Sequence, residues 1–228
     1  MLKHIIKIYK YSKLIRNADS FLASKHYGNF LINVSDIKTL SCWYSNEIQW
    51  STAQIDNLEK KYRINSCCKK ACFECCKQSI YINPAEYEIL KYNILRLDYK
   101  TKAKLKLEAK NICAAIKKTQ IPTKFSKGLT EKEQEDINKE YFQFQFKCPL
   151  LNCDRECICY DIRPSVCWTY RNYGDAIDCS GTCTPPYGHP YISSGTRVTK
   201  KLYETYIQKS QNYRLLPYAI YEILKNFN

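Results

Sequence analysis

Five cysteines lie within ten consecutive residues, 67–76, and their types and spacing could support metal chemistry. If this segment is helical, four of the thiols share one helix face, because they follow one another at i, i+4, i+7 and i+8: Cys68, Cys72, Cys75 and Cys76. Thiolates are soft ligands that suit zinc or an iron–sulfur cluster. Two other interpretations stay open at this point. The thiols could form a buried stripe of small apolar side chains, or they could belong to a disulfide framework.

A second group of cysteines follows later in the chain. It comprises five thiols within residues 148–167 and two more in a segment rich in glycine, proline and threonine: Cys148, Cys153, Cys157, Cys159, Cys167, Cys179 and Cys183. A four-thiol stripe in the first segment needs partners from elsewhere, and this second group can supply them. We therefore expect residues 67–76 to be half of a site, with the sulfurs of the two segments converging.

Two sequence patterns in these segments resemble one known family. The first is C-x3-C-x2-C-C at residues 68–76, followed by a predicted strand and by a helix that opens with Glu86. The second is C-P-L-L at residues 148–151 and then C-x-x-Y-D-x-R-P-x-x-C at residues 157–167. Together they are similar to the YkgJ-type cysteine-cluster proteins, a family described as a zinc- or iron-chelating domain. The flagellin lysine N-methylases carry a related cluster.

The resemblance covers about half of the chain, residues 64–170, and it implies a set of ligands. The implied metal ligands are the seven matched cysteines: Cys68, Cys72, Cys75, Cys76, Cys148, Cys157 and Cys167. It also implies that Tyr160 and Arg163 belong to the cofactor site. The chain departs from the family pattern by its extra cysteines and by Trp168, which stands where arginine is usual. The extra thiols are Cys67, Cys153, Cys159, Cys179 and Cys183, and they leave the ligand set and the number of centres open.

Seven thiols exceed the four that one tetrahedral zinc or one [4Fe–4S] cluster requires. Either the protein binds two metal centres, or some of the seven thiols are not ligands. The thiols that are not ligands would then lie around the ligands or take part in the reaction. Adjacent helical side chains diverge by about 100°, so Cys75 and Cys76 favour an iron–sulfur cluster over a single zinc. Arg163 could offset the charge of the thiolates, or its backbone could only anchor the turn before a proline. Cys159 and Cys179 are the candidate nucleophiles, with Arg163 as a further catalytic candidate.

Several helices and short strands should position these thiols. We expect a basic amphipathic helix over residues 2–15, a helix opened by Ser51 and Gln54, a strand at 78–82 and a helix from Pro84. A helix follows with an apolar stripe of Leu105, Ala109, Ile112 and Ile116. A short acidic helix is capped by Thr130 and Glu133, and residues 141–146 alternate like a strand. Two helices end the chain, one marked by Leu202, Tyr206 and Tyr213, the other starting at Pro217.

These elements predict a mainly α fold with a few short β-strands. The predicted organisation is a single cysteine-cluster domain at 64–190, with a helical N-terminal extension at 1–63 and C-terminal helices packed on the core at 191–228. The six glycines lie too far apart for a G-x-G-x-x-G turn or a phosphate-binding loop, so we do not expect a Rossmann-type cofactor domain.

Composition points to a reducing compartment and leaves the partner open. The net charge is +14, which suits nucleic acid, an anionic membrane surface, an acidic peptide or only a solvated lysine-rich surface. Lysines interrupt the apolar runs of residues 1–16, so we expect no signal peptide, and no run is long enough to span a membrane. The sequence therefore predicts a cytoplasmic protein, in which clustered thiols favour metal or catalysis over disulfides.

The functional expectation is a cytoplasmic metal-binding protein with an iron–sulfur cluster, [4Fe–4S] in the first place and zinc as the alternative. It would be an enzyme, a transferase or an oxidoreductase, that modifies a peptide, a protein or RNA through its cysteine-ligated centre. The alternative is a non-catalytic module, stapled by its metal, that binds a protein or nucleic-acid partner.

Overall fold

The computed structural model describes residues 2–24, 36–69, 71–126, 129–191 and 212–227. Within these ranges the protein is mainly α-helical, as the sequence predicts. It has eight α-helices: α1 (Leu2–Ser24), α2 (Ile37–Tyr62), α3 (Pro84–Ile94), α4 (Tyr99–Ile116), α5 (Glu131–Gln143), α6 (Ser165–Thr169), α7 (Ala176–Gly181) and α8 (Leu216–Leu224). Two 3-10 helices flank the site, η1 (Glu74–Lys77) and η2 (Tyr160–Ile162).

Five short strands form two antiparallel sheets: β1 (Tyr81–Ile82), β2 (Lys124–Phe125), β3 (Tyr170–Asn172), β4 (Gly188–Pro190) and β5 (Tyr213–Leu215). The first sheet has the order β1-β5-β2, with Tyr81 opposite Leu215 and Lys124 opposite Arg214. The second pairs β3 with β4. The first sheet therefore connects the C-terminal segment to both ends of the α3–α4 region.

Helices α3 to α5 begin and pack as their sequences predict. Asn83 and Glu86 form a capping box at the start of α3, and Thr130 and Glu133 form another at the start of α5. The predicted stripe of α4 is buried along its whole length: Leu105, Ala109, Ile112 and Ile116. Helix α8 begins at Leu216, and Pro217 occupies its first turn, where the missing N–H costs nothing.

Three local predictions are wrong. Ser51 does not open a helix: it lies inside α2, which begins after Asp36 and gains its cap from that carboxylate, and the Ser51 hydroxyl donates to Glu47 instead. Residues 141–146 are not a strand, because α5 continues to Gln143 and the chain then turns. Tyr213 lies in β5 and not in a helix, while Leu202 and Tyr206 lie outside the described residues.

The main hydrophobic core joins the N-terminal, central and C-terminal parts of the chain. Its buried side chains come from α2, α3, α4 and α8: Leu40, Tyr44, Ile48, Ile89, Leu90, Ile94, Leu105, Ala109, Ala219, Ile220 and Leu224. A second cluster packs α1 on α2 through Leu14, Leu22 and Ile55. The second cysteine segment packs against this core through Cys148, Cys157 and Cys167.

Helix α1 is longer than predicted and packs through its second half. Leu14, Ala18 and Leu22 are buried, whereas Ile6 and Tyr9 of the predicted apolar face are exposed. No helix in the described ranges combines the length and apolar character needed to cross a membrane.

Candidate metal centre

The first cysteine segment is not an α-helix, so the predicted single stripe of thiols does not form. Ala71 has a φ of 66°, a left-handed conformation that breaks any right-handed helix through it. Only Glu74–Lys77 is helical, as the 3-10 helix η1. The N–H of Cys67 donates to the carbonyl of Asn172 at 2.9 Å, which ties the start of the segment to β3.

The second segment folds into a tight loop followed by helix α6. Leu151 and Cys157 form an antiparallel bridge, and the N–H of Ile158 donates to the carbonyl of Leu150 at 2.9 Å. The 3-10 helix η2 follows, and α6 then carries Cys167. These backbone contacts fold the three matched cysteines of this segment back toward one another.

Both segments line one cavity of about 490 Å³. The seven cysteines implied by the family resemblance all contribute to its wall: Cys68, Cys72, Cys75, Cys76, Cys148, Cys157 and Cys167. Buried Ile80, Leu150 and Leu216 add an apolar part to the lining, while exposed Lys69 and Arg155 also border it. The structure thus brings together thiols that lie on separate segments of the sequence.

The Arg163 side chain is buried and lines this cavity. Its guanidinium lies 3.8 Å from the ring centre of Tyr160, which is itself at the cavity wall. Its Nε has no hydrogen-bond partner among the described residues, although Arg163 is only 7 % exposed. A buried donor without a partner is costly, and an anionic centre in the cavity would supply one.

The backbone around Arg163 is anchored separately from its side chain. The hydroxyl of Tyr44 donates to the Arg163 carbonyl at 3.1 Å, and Glu86 accepts from the N–H of Ser165 at 2.6 Å. A carboxylate oxygen of Glu86 lies at the same distance, 3.1 Å, from the Tyr44 hydroxyl, so these two acceptors share its single proton. These contacts hold the turn before α6 through the backbone and do not use the Arg163 guanidinium, which lines the cavity.

Burial is the main reason why three thiols of this wall, Cys148, Cys157 and Cys167, resist ionisation. It raises the pKa of Cys157 and raises the pKa values of Cys148 and Cys167 well above the usual range. For Cys75 the largest cause of the raised pKa is a hydrogen bond with Cys76, and burial comes next. Arg163 opposes the rise in pKa at Cys75, Cys157 and Cys167. These four thiols therefore favour the neutral form unless a cation enters.

The two candidate nucleophiles lie outside the cavity wall. Cys159 is 5 % exposed in the main core, and burial raises its pKa, the opposite of what activates a thiolate. Cys179 is buried on α7, where burial again is the largest cause of a raised pKa. Of the remaining extra thiols, Cys153 is exposed, and Cys67 and Cys183 are partly buried.

The residues present fit a thiolate-bound centre by their chemistry. All fourteen cysteines lie in the described ranges and are free thiols. No three cysteine, histidine, aspartate or glutamate side chains in those ranges are already arranged around one metal-ion position. The fit rests on the soft donors that share the cavity and on the orphaned Nε of Arg163 beside them.

Sequence reasoning missed two residues that organise the site from β3. Arg171 lines the cavity and pairs with Asp56 at 3.3 Å. Asn172, which is fully buried, donates hydrogen bonds to three sulfurs. No motif marks either residue, because their roles arise only when β3 is placed against the first cysteine segment.

No protein-family model, curated protein or solved structure matches this chain. The resemblance to the YkgJ-type proteins therefore stays a prediction that rests on the two cysteine patterns.

Proposed function

We propose that this protein binds a cysteine-ligated metal centre, an iron–sulfur cluster in the first place, and uses it to modify a peptide or protein. The observation that supports it is the shared cavity of about 490 Å³, which receives seven thiols from two separate segments. Soft thiolates select zinc and iron–sulfur clusters over hard cations. The resemblance to zinc- or iron-chelating proteins points to the same chemistry.

The expected ligands of the centre are the seven cysteines that line the cavity: Cys68, Cys72, Cys75, Cys76, Cys148, Cys157 and Cys167. The hydrogen bond with Cys75 lowers the pKa of Cys76, but burial and the nearby thiols of Cys148, Cys167 and Cys157 raise it, and the net change is a rise. Arg163 would balance the negative charge of the bound centre, and Tyr160 would hold the guanidinium in place by stacking. When bound, the centre would supply electron transfer or Lewis-acid chemistry.

The cavity is open to solvent on one side, which favours an enzyme over a protein whose metal centre is purely structural. Its lining includes the exposed side chains of Lys69, Arg155 and Asp161, so one side is open to solvent. Its volume falls in the range of about 300–1,000 Å³ that is typical of ligand sites. A closed structural zinc site needs no such space. A peptide side chain could therefore reach the centre between these charged residues.

The test is anaerobic purification followed by metal analysis and a visible spectrum. We expect iron and sulfide in the protein, a brown colour, and loss of both colour and iron in Cys148→Ser. Cys42→Ser is the matched control, because Cys42 is exposed on α2 and does not line the cavity. A colourless protein with zinc would favour the non-catalytic module, and a protein without metal would refute the proposal.

The partner can be tested with the same preparation. A peptide or protein substrate should bind near the cavity mouth, and the charge reversal Asp161→Lys at that mouth should change its affinity. If RNA binds instead, its affinity should fall steeply as salt is raised, because basic residues release counterions on binding. That result would replace the peptide by a nucleic-acid partner.

A further inference from the structure

A second cavity of about 720 Å³ lies beside the thiol cavity, the cavity of about 490 Å³ that the seven cysteines line. Helix α4 contributes to its wall, and residues 145–153, which follow α5, supply much of the rest. Cys148, Leu151 and Arg155 line both cavities, so the two adjoin. A ligand in the second cavity therefore lies next to the thiols.

The lining of the second cavity is basic. It carries three cations, Lys104, Lys147 and Arg155, and one carboxylate, Glu108, a net of two positive charges. Glu108 Oε1 lies 3.7 Å from Lys104 Nζ and offsets that lysine. Lys147 and Arg155 are exposed, and no carboxylate in the described part of the chain forms an ion pair with either of them. Two cations without an acidic partner beside one cavity favour an anionic ligand.

The backbone holds Arg155 in an unfavourable conformation at the junction of the two cavities. Its φ is 62°, in the left-handed region, which costs free energy for any residue with a Cβ. A turn built on Asn152 keeps it there: the Asn152 carbonyl accepts the N–H of Arg155 at 3.2 Å, and its side-chain oxygen accepts those of Asp154 and Glu156 at 2.9 Å. The guanidinium lies 4.9 Å from the ring centre of Phe73. Such strain, held in place by its surroundings, indicates a functional position.

The apolar part of the lining favours a peptide over RNA. Proteins bind single-stranded nucleic acid in basic grooves by stacking its bases on aromatic rings. In the second cavity Phe146 already stacks on Phe144, with ring centres 5.0 Å apart, and Phe73 already carries Arg155 on its ring. Buried Ile112 adds an aliphatic wall, which suits the apolar side chains of a peptide.

We propose that the second cavity binds an acidic segment of the peptide or protein substrate, and that Arg155 binds one of its carboxylates where the two cavities meet. This inference rests on the proposed function, because it names the kind of substrate that reaches the thiol cavity. Lys147 binds a further acidic side chain of the segment, and Ile112 and Phe146 receive an apolar one. The residue to be modified then lies beside the seven thiols.

The experiment measures the fluorescence anisotropy of two short labelled peptides with the purified protein. One peptide carries glutamates around a phenylalanine, and the other has lysine in place of each glutamate. Wild-type protein should bind the acidic peptide at least about tenfold more tightly, a difference equal to a few exposed ion pairs. This preference should weaken as salt is raised, because the cations are exposed.

Charge reversal tests the assigned residues. Arg155→Glu and Lys147→Glu should each lower the affinity for the acidic peptide by about tenfold, since each removes one attraction and adds one repulsion. Lys38→Glu is the matched control, because Lys38 is exposed in the first turn of α2 and lines neither cavity. It makes the same change in charge and should alter the affinity by less than about twofold.

Arg155→Gly addresses the case in which Arg155→Glu is unstable. Glycine adopts a positive φ without strain, so this variant should resist urea at least as well as the wild type while it binds the acidic peptide more weakly. Equal affinity of the wild type for the two peptides would overturn the inference. Equal losses in Lys38→Glu and Arg155→Glu would also overturn it, because net charge alone would then explain the binding.

Two further measurements separate this inference from its rivals and from the proposed function. A labelled single-stranded RNA that binds more tightly than the acidic peptide, and that the same reversals weaken, would replace the peptide and overturn the inference. Metal analysis of each sample should give the wild-type content in Arg155→Glu. Protein that contains the metal but does not prefer the acidic peptide would refute this inference alone. Protein without metal that keeps the preference would refute the metal centre and support the acidic docking site.

Discussion

A carboxylate oxygen of Glu86 accepts a hydrogen bond of 2.6 Å from the backbone N–H of Ser165, which lies 79 residues further along the chain. Glu86 is in the first turn of α3, and Ser165 is the first residue of α6. The same carboxylate accepts from Tyr44 and completes the capping box of α3. One buried side chain thus connects the helix after the first cysteine segment to the helix that carries Cys167.

Replacing Glu86 by alanine should destabilise the protein by about 2–4 kcal/mol. The change removes hydrogen bonds to a charged group, each of which contributes about 1.5–3 kcal/mol, and it leaves the Tyr44 hydroxyl without this acceptor. Urea unfolding followed by circular dichroism measures the loss. Glu88→Ala is the control, since Glu88 is partly exposed and its ion pair with Lys91 spans 3.7 Å at the surface. Equal losses in the two variants would contradict a special role for Glu86.

Arg163→Met should lower the affinity for metal by about 10–100-fold, the usual cost of removing a group that supports the ligands. The physical reason is that the methionine leaves the thiolate charge without its buried cation. Competition with a chromogenic chelator measures the affinity, and circular dichroism checks the fold.

Arg155→Met is the matched control for Arg163→Met. Arg155 also lines the cavity but is exposed, so its charge is screened, and its loss should cost less than about fivefold in affinity, or about 1 kcal/mol. If the two variants lose affinity equally, a general effect of net charge would explain the loss, and the assigned role of Arg163 would be wrong.

The sequence predicts the regular helices well because their information is local. The start of α3 at Pro84, the capping box at Thr130 and the apolar stripe of α4 each depend on only a few neighbouring residues. The end of α5 has the pattern of a strand because Phe142, Phe144 and Phe146 alternate with two glutamines, yet the helix continues to Gln143. Short alternating runs do not distinguish a helix end from a strand.

The structure of the first cysteine segment, in contrast, could not be predicted from neighbouring residues. The spacing of Cys68 and Cys72 suggested a helix face, but Ala71 takes a left-handed conformation and the segment is held by Asn172 of β3. That contact joins residues 105 apart, so no local pattern records it. The cysteines around the cavity can be predicted from two motifs, whereas the hydrogen bonds of Asn172 to Cys67, Cys68 and Cys179 depend on long-range contacts.

Cys159→Ala should leave the metal content unchanged and lower stability by about 1 kcal/mol, the central value for single substitutions. Cys159 lies in the apolar core and not on the cavity wall, so its sulfur contributes packing. Metal analysis and urea unfolding on the same sample separate the two effects. The exposed Cys153 provides the control, since Cys153→Ala should change stability by less than about 0.5 kcal/mol. Loss of metal in Cys159→Ala with an intact fold would place this thiol among the ligands.

Glu59→Gln should make stability less sensitive to rising pH. Burial is the largest cause that raises the pKa of Glu59 above 4.5, so the folded state keeps a proton that the unfolded state has already lost. The free energy of unfolding therefore falls as the pH rises from about 4.5 through the raised pKa, by up to about 1.4 kcal/mol for each unit of the rise.

Glutamine has no such proton to lose, and its side-chain oxygen can still accept the hydrogen bond of 2.9 Å from Tyr173. Urea unfolding of both proteins at several pH values above 4.5 measures the difference. Comparison of the two curves removes the contribution of the thiols, which both proteins share. The advantage of the variant should grow with pH and then level off once Glu59 is ionised in the folded wild type. Parallel curves over this range would mean that Glu59 is ionised equally in the folded and unfolded states.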